Sequence, residues 1–388
     1  MKKQLFTLII CCFSFNLYWA QDYEHYRKLI DTTIHSACLG YEKKITVTVP
    51  YEWQAGSQNK FPLIIVFDQQ NKRSHQYILQ TIDYLTSNQQ MPASIILSIE
   101  SEQQYRYLET LHKASDSAGK AFENERFLFE ELIPLAERSF NASSFRIFIG
   151  HSRYGYFTTS LLKSRINQLN AVISLSPFFT QKNVNLMDSL ASLQRTEFTN
   201  TNYYRYAIGN DYPDDFYAMD STLKTITIPT FNASGQLFIQ ADHNATPGLI
   251  IAPALYEIFE FWSERQANFL RDTTNSLNYS AQLEEEITAH YGTSFDFALG
   301  ILNGKGWTFF NEGAFEHAIN TWKLLLNNYP NFSEAYLYIL EAEIALKDNH
   351  NLTIEAFHQS LKNSKLYSDA EKQELLIELE RLKSTEEH

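Results

Sequence analysis

The sequence has few cysteines, no excess of positive charge and no apolar run of membrane-spanning length. Only three cysteines occur among 388 residues, and two of them, Cys11 and Cys12, lie close to the N-terminus. If that end is removed, Cys38 is the only cysteine left, which excludes an internal disulfide. The net charge of −13 argues against nucleic acid and anionic membranes as partners, because both would repel an acidic surface.

The first twenty residues have the pattern of a secretory signal. Lys2 and Lys3 form a basic start, residues 5–13 are apolar and uncharged, and Ala20 supplies the small residue required at a cleavage site. We therefore expect residues 1–20 to be a signal peptide and the mature protein to be secreted or periplasmic. An uncleaved anchor is the alternative, although the apolar run is short beside the roughly 20 residues that a span needs.

The rest of the chain has ample material for packed cores, with 44% hydrophobic and 14% aromatic residues. Residues 45–263 alternate short apolar runs with amphipathic helical stretches such as residues 121–139. The runs are rich in β-branched residues, as is typical of strands covered on both faces; they are residues 62–67, 94–99, 145–149 and 171–175. This alternation predicts an α/β fold with a mainly parallel sheet flanked by helices.

The character of the sequence changes after about residue 264, where helical periodicity replaces the strand-like runs. Residues 311–330 carry an apolar helical face, and a second copy follows 35 residues later, close to the period of tetratricopeptide repeats. We predict one domain at residues 21–265 and a second, small all-α, tetratricopeptide-like domain at residues 266–388. Repeats of this kind offer a concave surface to a protein partner. A plain pair of helical hairpins is the alternative.

A candidate nucleophile follows the strand at residues 145–149. Gly150, His151 and Ser152 lead from that strand into a predicted helix, the setting in which a G-x-S-x-G turn exposes a catalytic serine. The second glycine of that motif is replaced by Tyr154, and Gly155 comes one residue later. The pattern predicts that Ser152 is a nucleophile, with a purely structural turn as the alternative.

A nucleophilic serine also needs a general base, which near neutral pH should be histidine. His243 follows a predicted strand at residues 236–239 and precedes a predicted helix at about 249–262, which is where the base belongs in this fold. His112 and His151 are the runners-up.

An acid and an oxyanion hole complete the predicted site. Asp211 follows the strand predicted at residues 203–209, between serine and histidine in the order expected for an α/β-hydrolase. Its neighbours Asp214 and Asp215 remain alternatives. The main-chain N–H groups of Arg153 and Gln69 are the predicted oxyanion donors, since Arg153 directly follows the nucleophile and Gln69 lies in the loop after the strand at residues 62–67.

Several segments occur in the order in which a known family carries them, including PLIIVFDQQ, PASIILSIE, FRIFIGHSRYG and DHNATP. Residues 45–263 resemble the putative-esterase branch of the α/β-hydrolases, which includes esterase D and enterochelin-esterase-like proteins. The resemblance implies that Ser152 is the nucleophile, His243 the base and Asp211 the region of the acid. The helical tail is similar to a tetratricopeptide-like extension on some secreted members. This chain departs from the family's sequence pattern at three positions, which are occupied by Tyr154, Gln69 and Tyr107.

Together these features predict a secreted serine hydrolase that cleaves small-molecule carboxylic esters through an acyl-enzyme, with no metal or organic cofactor. One alternative is a catalytically inactive hydrolase-fold binding module whose repeats recruit a protein. Another is acyl transfer to an acceptor in place of water. The side chain of Arg153 is expected at the surface with an ion-pair partner; binding of an acidic or catecholate substrate is its alternative role.

Overall fold

The computed structural model describes residues 23–55, 59–273, 276–364 and 366–386. The predicted signal peptide, its cleavage site and the first two cysteines lie outside the described residues. The described chain forms an α/β part followed by a helical part.

The α/β part is built on one sheet of eight strands. The strands are β1 (Tyr26–Ser36), β2 (Tyr41–Pro50), β3 (Phe61–Phe67), β4 (Ile95–Ile99), β5 (Ala142–His151), β6 (Ala171–Leu175), β9 (Asn202–Ile208) and β10 (Phe231–Leu237). Two short strands, β7 (Thr180–Gln181) and β8 (Val184–Asn185), pair separately. All four predicted apolar runs lie within strands or overlap them, because each strand is buried on both faces.

The strands lie in the order β1-β2-β4-β3-β5-β6-β9-β10. Only β1 and β2 run antiparallel to their neighbours; the pairs from β4 to β10 are parallel. The carboxyl ends of β3, β5, β6, β9 and β10 therefore meet at one edge, where ligands bind in open α/β sheets. This confirms the predicted fold class.

Helices cover both faces of the sheet. Those of the α/β part are α1 (Lys72–Ser87), α2 (Gln103–Glu109), α3 (Ala121–Arg126), α4 (Ile133–Ser139), α5 (Arg153–Ser164), α6 (Leu186–Ala191), α7 (Pro213–Leu223) and α8 (Pro247–Arg271). A π-helical segment, Phe127–Leu132, joins α3 to α4. Side chains alternate along β3, so that Leu63 and Ile65 enter one core while Ile64 and Val66 enter the other.

The predicted domain boundary at residues 265/266 falls inside α8, which continues to Arg271. The helix belongs to both parts, since Trp262 packs in the sheet core and Phe269 in the core of the helical part. The helices that follow are α9 (Ser276–Tyr291), α10 (Leu299–Asn311), α11 (Phe315–Asn328), α12 (Glu334–Leu346), α13 (Asn351–Asn363) and α14 (Asp369–Glu386). They confirm an all-α C-terminal part; the tetratricopeptide assignment stays a prediction.

None of the helices within the described ranges is long and apolar enough to cross a membrane.

Candidate active site

Ser152 sits at a sharp turn between β5 and α5. Its backbone has φ of 59° and ψ of −114°, a conformation that a residue with a Cβ rarely adopts and that characterises a nucleophile elbow. The turn is fixed because the Ser152 N–H donates to the Leu175 carbonyl at 2.8 Å. The side chain is half-buried, so the turn holds the hydroxyl at the carboxyl edge of the sheet.

The elbow brings strand and helix so close together that small residues are needed beside it. A Cβ at Gly150 would lie 2.3 Å from the Tyr154 carbonyl oxygen, and one at Gly155 would lie 3.2 Å from that of Leu175. In the G-x-S-x-G motif, the glycine at position 154 allows strand and helix to approach closely. In this chain Gly155 allows that approach.

The ring of Tyr154 lies in the core beneath the elbow. It is fully buried and stacks on Phe67 at the end of β3, with ring centroids 4.4 Å apart. Its hydroxyl donates to Glu109 and accepts a 2.8 Å hydrogen bond from Ser101. Tyrosine is therefore compatible with the turn, since its side chain occupies a core position and has polar partners for its hydroxyl.

A buried ion pair anchors this phenol. Glu109 has no solvent-exposed side-chain surface and accepts hydrogen bonds from Lys43 at 2.9 and 3.0 Å and from Tyr41 at 2.7 Å. A buried carboxylate is stable only when it is paired and hydrogen-bonded. The network joins β2, α2 and α5 beneath the nucleophile.

His243 and Asp211 meet at the same edge of the sheet. His243 lies in the loop after β10 and Asp211 in the loop after β9, and the Asp211 carboxylate is hydrogen-bonded to Nδ1 of His243. The carboxylate can only accept, so Nδ1 carries the proton and Nε2 is left as the proton acceptor. The structure thus brings together the predicted base and the predicted acid.

Two hydrogen bonds hold the His243 loop at the carboxyl ends of β5 and β6. Nε2–H of His151 donates to the His243 carbonyl at 2.8 Å, and the two imidazole rings are 4.8 Å apart between centroids. The buried hydroxyls of Ser176 and Thr246 are hydrogen-bonded at 2.7 Å. His151, which precedes the predicted nucleophile, is therefore in direct contact with His243, the predicted base.

No hydrogen bond joins Ser152 Oγ to His243 Nε2, and neither atom is bonded to another described residue. Catalytic hydrogen bonds are often long in the free enzyme and tighten when substrate binds. Ser152 Oγ and His243 Nε2 are thus both without a hydrogen-bond partner among the described residues.

The two runner-up histidines are engaged elsewhere. Nδ1 of His112 is hydrogen-bonded to the Tyr156 hydroxyl at 2.9 Å, and Nε2 of His151 is used as described above. Burial lowers the pKa of both imidazoles, which keeps them neutral. Asp215, one of the alternative acids, lies in the first turn of α7, where burial raises the pKa of its carboxyl.

The predicted oxyanion donors have different outcomes. Arg153 is the first residue of α5, and its N–H makes no hydrogen bond within the described chain, as expected for the first turn of a helix. The N–H of Gln69, by contrast, donates to the Ile99 carbonyl at 3.0 Å. It continues the β3–β4 pairing and is directed away from β5, so the prediction for Gln69 is wrong.

The next N–H along that loop belongs to Gln70 and has no hydrogen-bond partner among the described residues. The loop is rigid there: the Gln70 side chain donates to Asp68 at 2.9 Å and accepts from the Ser101 N–H at 2.9 Å. Gln70 is therefore the candidate for the second donor.

Arg106 links this loop to the elbow, a role that the sequence reasoning missed. Its guanidinium makes two hydrogen bonds to the Asp68 carboxylate, at 2.8 and 2.6 Å, and a longer one of 3.3 Å to the His151 carbonyl. Asp68 is buried and has a positive φ of 61°. A buried aspartate at a strand end requires a cation. Asp68 at the end of β3 was therefore the sequence signal that an arginine or lysine should lie nearby.

A cavity of about 360 Å³ lies far from these residues. It is lined by Phe61 and Pro62, at the opposite end of β3 from the elbow, and by residues of the helical part such as Leu299 and Tyr329. None of the predicted site residues lines it. The candidate site is therefore separate from this cavity.

The comparisons with known proteins agree with this architecture. Residues 36–188 match the model of a family described as putative esterase, which confirms the resemblance seen in the sequence and supports the predicted class, an ester hydrolase. The matched segment contains Ser152 and ends before Asp211 and His243. A comparison with curated proteins found no significant match.

Solved structures confirm the fold. An uncharacterised protein from Capnocytophaga ochracea is 14% identical with a TM-score of 0.59; the match covers 92% of this chain and 99% of that one. An IroE-like serine hydrolase from Shewanella oneidensis is 14% identical with a TM-score of 0.60, over 79% of this chain and 100% of that one. A siderophore hydrolase, EstB from Aspergillus nidulans, is 14% identical with a TM-score of 0.50, over 62% and 96%.

Proposed function

We propose that this protein hydrolyses carboxylic esters with Ser152 as nucleophile, His243 as general base and Asp211 as the acid that orients it. The observation that carries the proposal is the Asp211–His243 pair, in which the loop of His243 contacts His151, the residue before a serine in the nucleophile-elbow conformation. An inactive scaffold has no need of a strained serine next to an imidazole that is fixed in the reactive tautomer.

The reaction proceeds in two halves. In the first, Nε2 of His243 takes the proton of Ser152 Oγ as that oxygen attacks the ester carbonyl carbon. The tetrahedral oxyanion accepts hydrogen bonds from the N–H groups of Arg153 and Gln70. The imidazolium, stabilised by Asp211, then gives its proton to the leaving alcohol as the ester C–O bond breaks, and an acyl-enzyme remains.

In the second half, water replaces the alcohol. His243 removes a proton from the water as it attacks the acyl carbonyl, and the same two amides hold the new oxyanion. The C–O bond to Ser152 then breaks, Oγ recovers its proton from the imidazolium and the carboxylic acid leaves. No metal or organic cofactor takes part in these steps.

Two further features belong to the proposal. Secretion through residues 1–20 places the enzyme outside the cytoplasm, on the basis of the sequence pattern alone. The helical part serves as a tetratricopeptide-like unit packed on the hydrolase part: the hydroxyl of Tyr203 in β9 is hydrogen-bonded to Nε2 of His290 in α9 at 2.7 Å.

The direct test is turnover of a chromogenic ester by three proteins: wild type, Ser152→Ala and the control Ser221→Ala. Ser221 is an exposed serine on α7. We expect release of 4-nitrophenol from 4-nitrophenyl butyrate by wild type and Ser221→Ala and a loss of at least about 10³-fold in Ser152→Ala. Equal rates in all three would reject the proposal. Analysis of the products with an added alcohol separates hydrolysis from acyl transfer.

A further inference from the structure

The side chain of Arg153 lies at the mouth of the proposed site. Its guanidinium carbon is 4.2 Å from the ring centre of Tyr107 and 5.9 Å from that of Phe178. Tyr212 contacts the imidazole of His243 edge-on, with centroids 6.1 Å apart. Two aromatic rings therefore lie against the cation that follows Ser152, and a third lies against His243.

This cation has no carboxylate partner among the described residues. The expected surface ion pair is therefore not formed. Arg106, on the neighbouring helix, is by contrast saturated by both oxygens of Asp68. Partial burial lowers the pKa of Arg153, yet a guanidinium remains charged at neutral pH.

An unpaired, partly desolvated guanidinium held against aromatic rings is poorly solvated and keeps its forked N–H donors free. Such a fork fits a carboxylate bidentately, and the interaction gains strength where water is partly excluded. The chain carries a net charge of −13. An unpaired positive charge next to the nucleophile is therefore opposite in sign to the net charge of the protein.

We propose that Arg153 forms an anion subsite and that the preferred substrates are esters bearing a carboxylate near the scissile bond. This inference rests on the proposed hydrolase function and deepens it. The main-chain N–H of Arg153 holds the oxyanion, while its side chain binds the substrate's own negative charge. The guanidinium takes no part in bond making or breaking. It selects substrates that carry a negative charge and positions them in the site.

The test uses pairs of esters that differ only in charge. For a carboxylate on the acyl side, the pair is mono-4-nitrophenyl adipate and its methyl ester; for one on the alcohol side, it is 4-acetoxy-3-nitrobenzoate and its methyl ester. The readout is the ratio of kcat/KM for the charged over the neutral ester. A ratio cancels any general effect of a substitution on the elbow, and the two pairs distinguish the two positions of the anion.

We expect wild type to prefer the charged member of one pair, and Arg153→Gln to lower that ratio by about tenfold or more, the effect of losing one charge-assisted interaction. Arg153→Lys should keep part of the preference, because the charge remains and the fork is lost. Arg138→Gln is the matched control: it removes the same charge from an exposed residue of α4, just before the start of β5, and should leave both ratios unchanged.

Ratios that stay within about twofold of wild type in Arg153→Gln, for both pairs, would overturn the inference. If no ester is turned over, the proposed function fails, and the subsite is tested separately by calorimetry on Ser152→Ala. There, adipate monoanilide should bind more tightly than its methyl ester and lose this advantage in the Ser152→Ala, Arg153→Gln double variant. Equal binding of the two anilides to Ser152→Ala would refute the subsite.

Discussion

Placing the second glycine of the G-x-S-x-G motif at position 154 should destabilise this protein. Tyr154→Gly removes a fully buried ring that stacks on Phe67 and lies edge-on to Phe157, 5.9 Å between centroids. It also removes the hydroxyl that serves Glu109 and Ser101. The elbow itself does not need the glycine, because Gly155 already provides the close approach.

The magnitude follows from these contacts. Loss of a large buried aromatic side chain costs about 3–5 kcal/mol of unfolding free energy. Loss of a hydrogen bond to a charged group costs about 1.5–3 kcal/mol, and glycine in a helix up to about 1 kcal/mol. The terms overlap, so about 5 kcal/mol or more is expected, which is comparable with the whole stability of a marginal domain.

Chemical denaturation monitored by circular dichroism measures this loss. Tyr154→Phe is the matched variant, since it keeps the ring and removes only the hydroxyl; it should lose about 1.5–3 kcal/mol. A Tyr154→Gly protein as stable as wild type, or more active, would show that the ring obstructs the elbow and would refute the packing argument.

The remaining predictions concern the acid, the buried ion pair and acid sensitivity. Asp211→Asn should keep the fold and lower kcat for ester hydrolysis by about 10⁴-fold, because the imidazole loses its tautomer control; steady-state kinetics with a folded-state control check this. Lys43→Met should leave the Glu109 carboxylate buried and unpaired and cost about 3–5 kcal/mol in denaturant unfolding, with most of it recovered in the Lys43→Met, Glu109→Gln double variant. Burial lowers the pKa of His75 to about 4, so its contribution to stability is complete above its unfolded pKa of about 6.5 and is lost as the pH falls towards 4. His75→Gln should therefore narrow the difference in unfolding free energy between pH 7 and pH 5.

The central strands could be predicted from sequence because both of their faces are buried. β3 is a continuous apolar run and β6 is apolar apart from Ser174, a composition typical of strands that are buried on both faces. β1 lay outside the predicted pattern because it carries alternating exposed polar residues and gains its place only by pairing with β2 at the edge of the sheet.

The candidate site shows the same division between local and long-range information. The elbow at Ser152 is a local strand–turn–helix signal, and the positions of Asp211 and His243 follow from parallel strands ending at one edge. The direction of the Gln69 N–H depends on β4 continuing to pair beyond the end of β3. Packing between distant segments also places Arg106 on Asp68. An aspartate at a strand end indicates that a cation is needed, but the local sequence does not indicate which residue supplies it.

The central claim is that His243 activates Ser152. Covalent labelling with a fluorophosphonate probe, followed by mass spectrometry of the peptides, tests it most directly. We expect the label on Ser152 alone, and a labelling rate that falls by about 10²–10⁴-fold in His243→Ala, in protein that remains folded. Absence of label on folded wild-type protein, or an unchanged labelling rate in His243→Ala, would contradict the account.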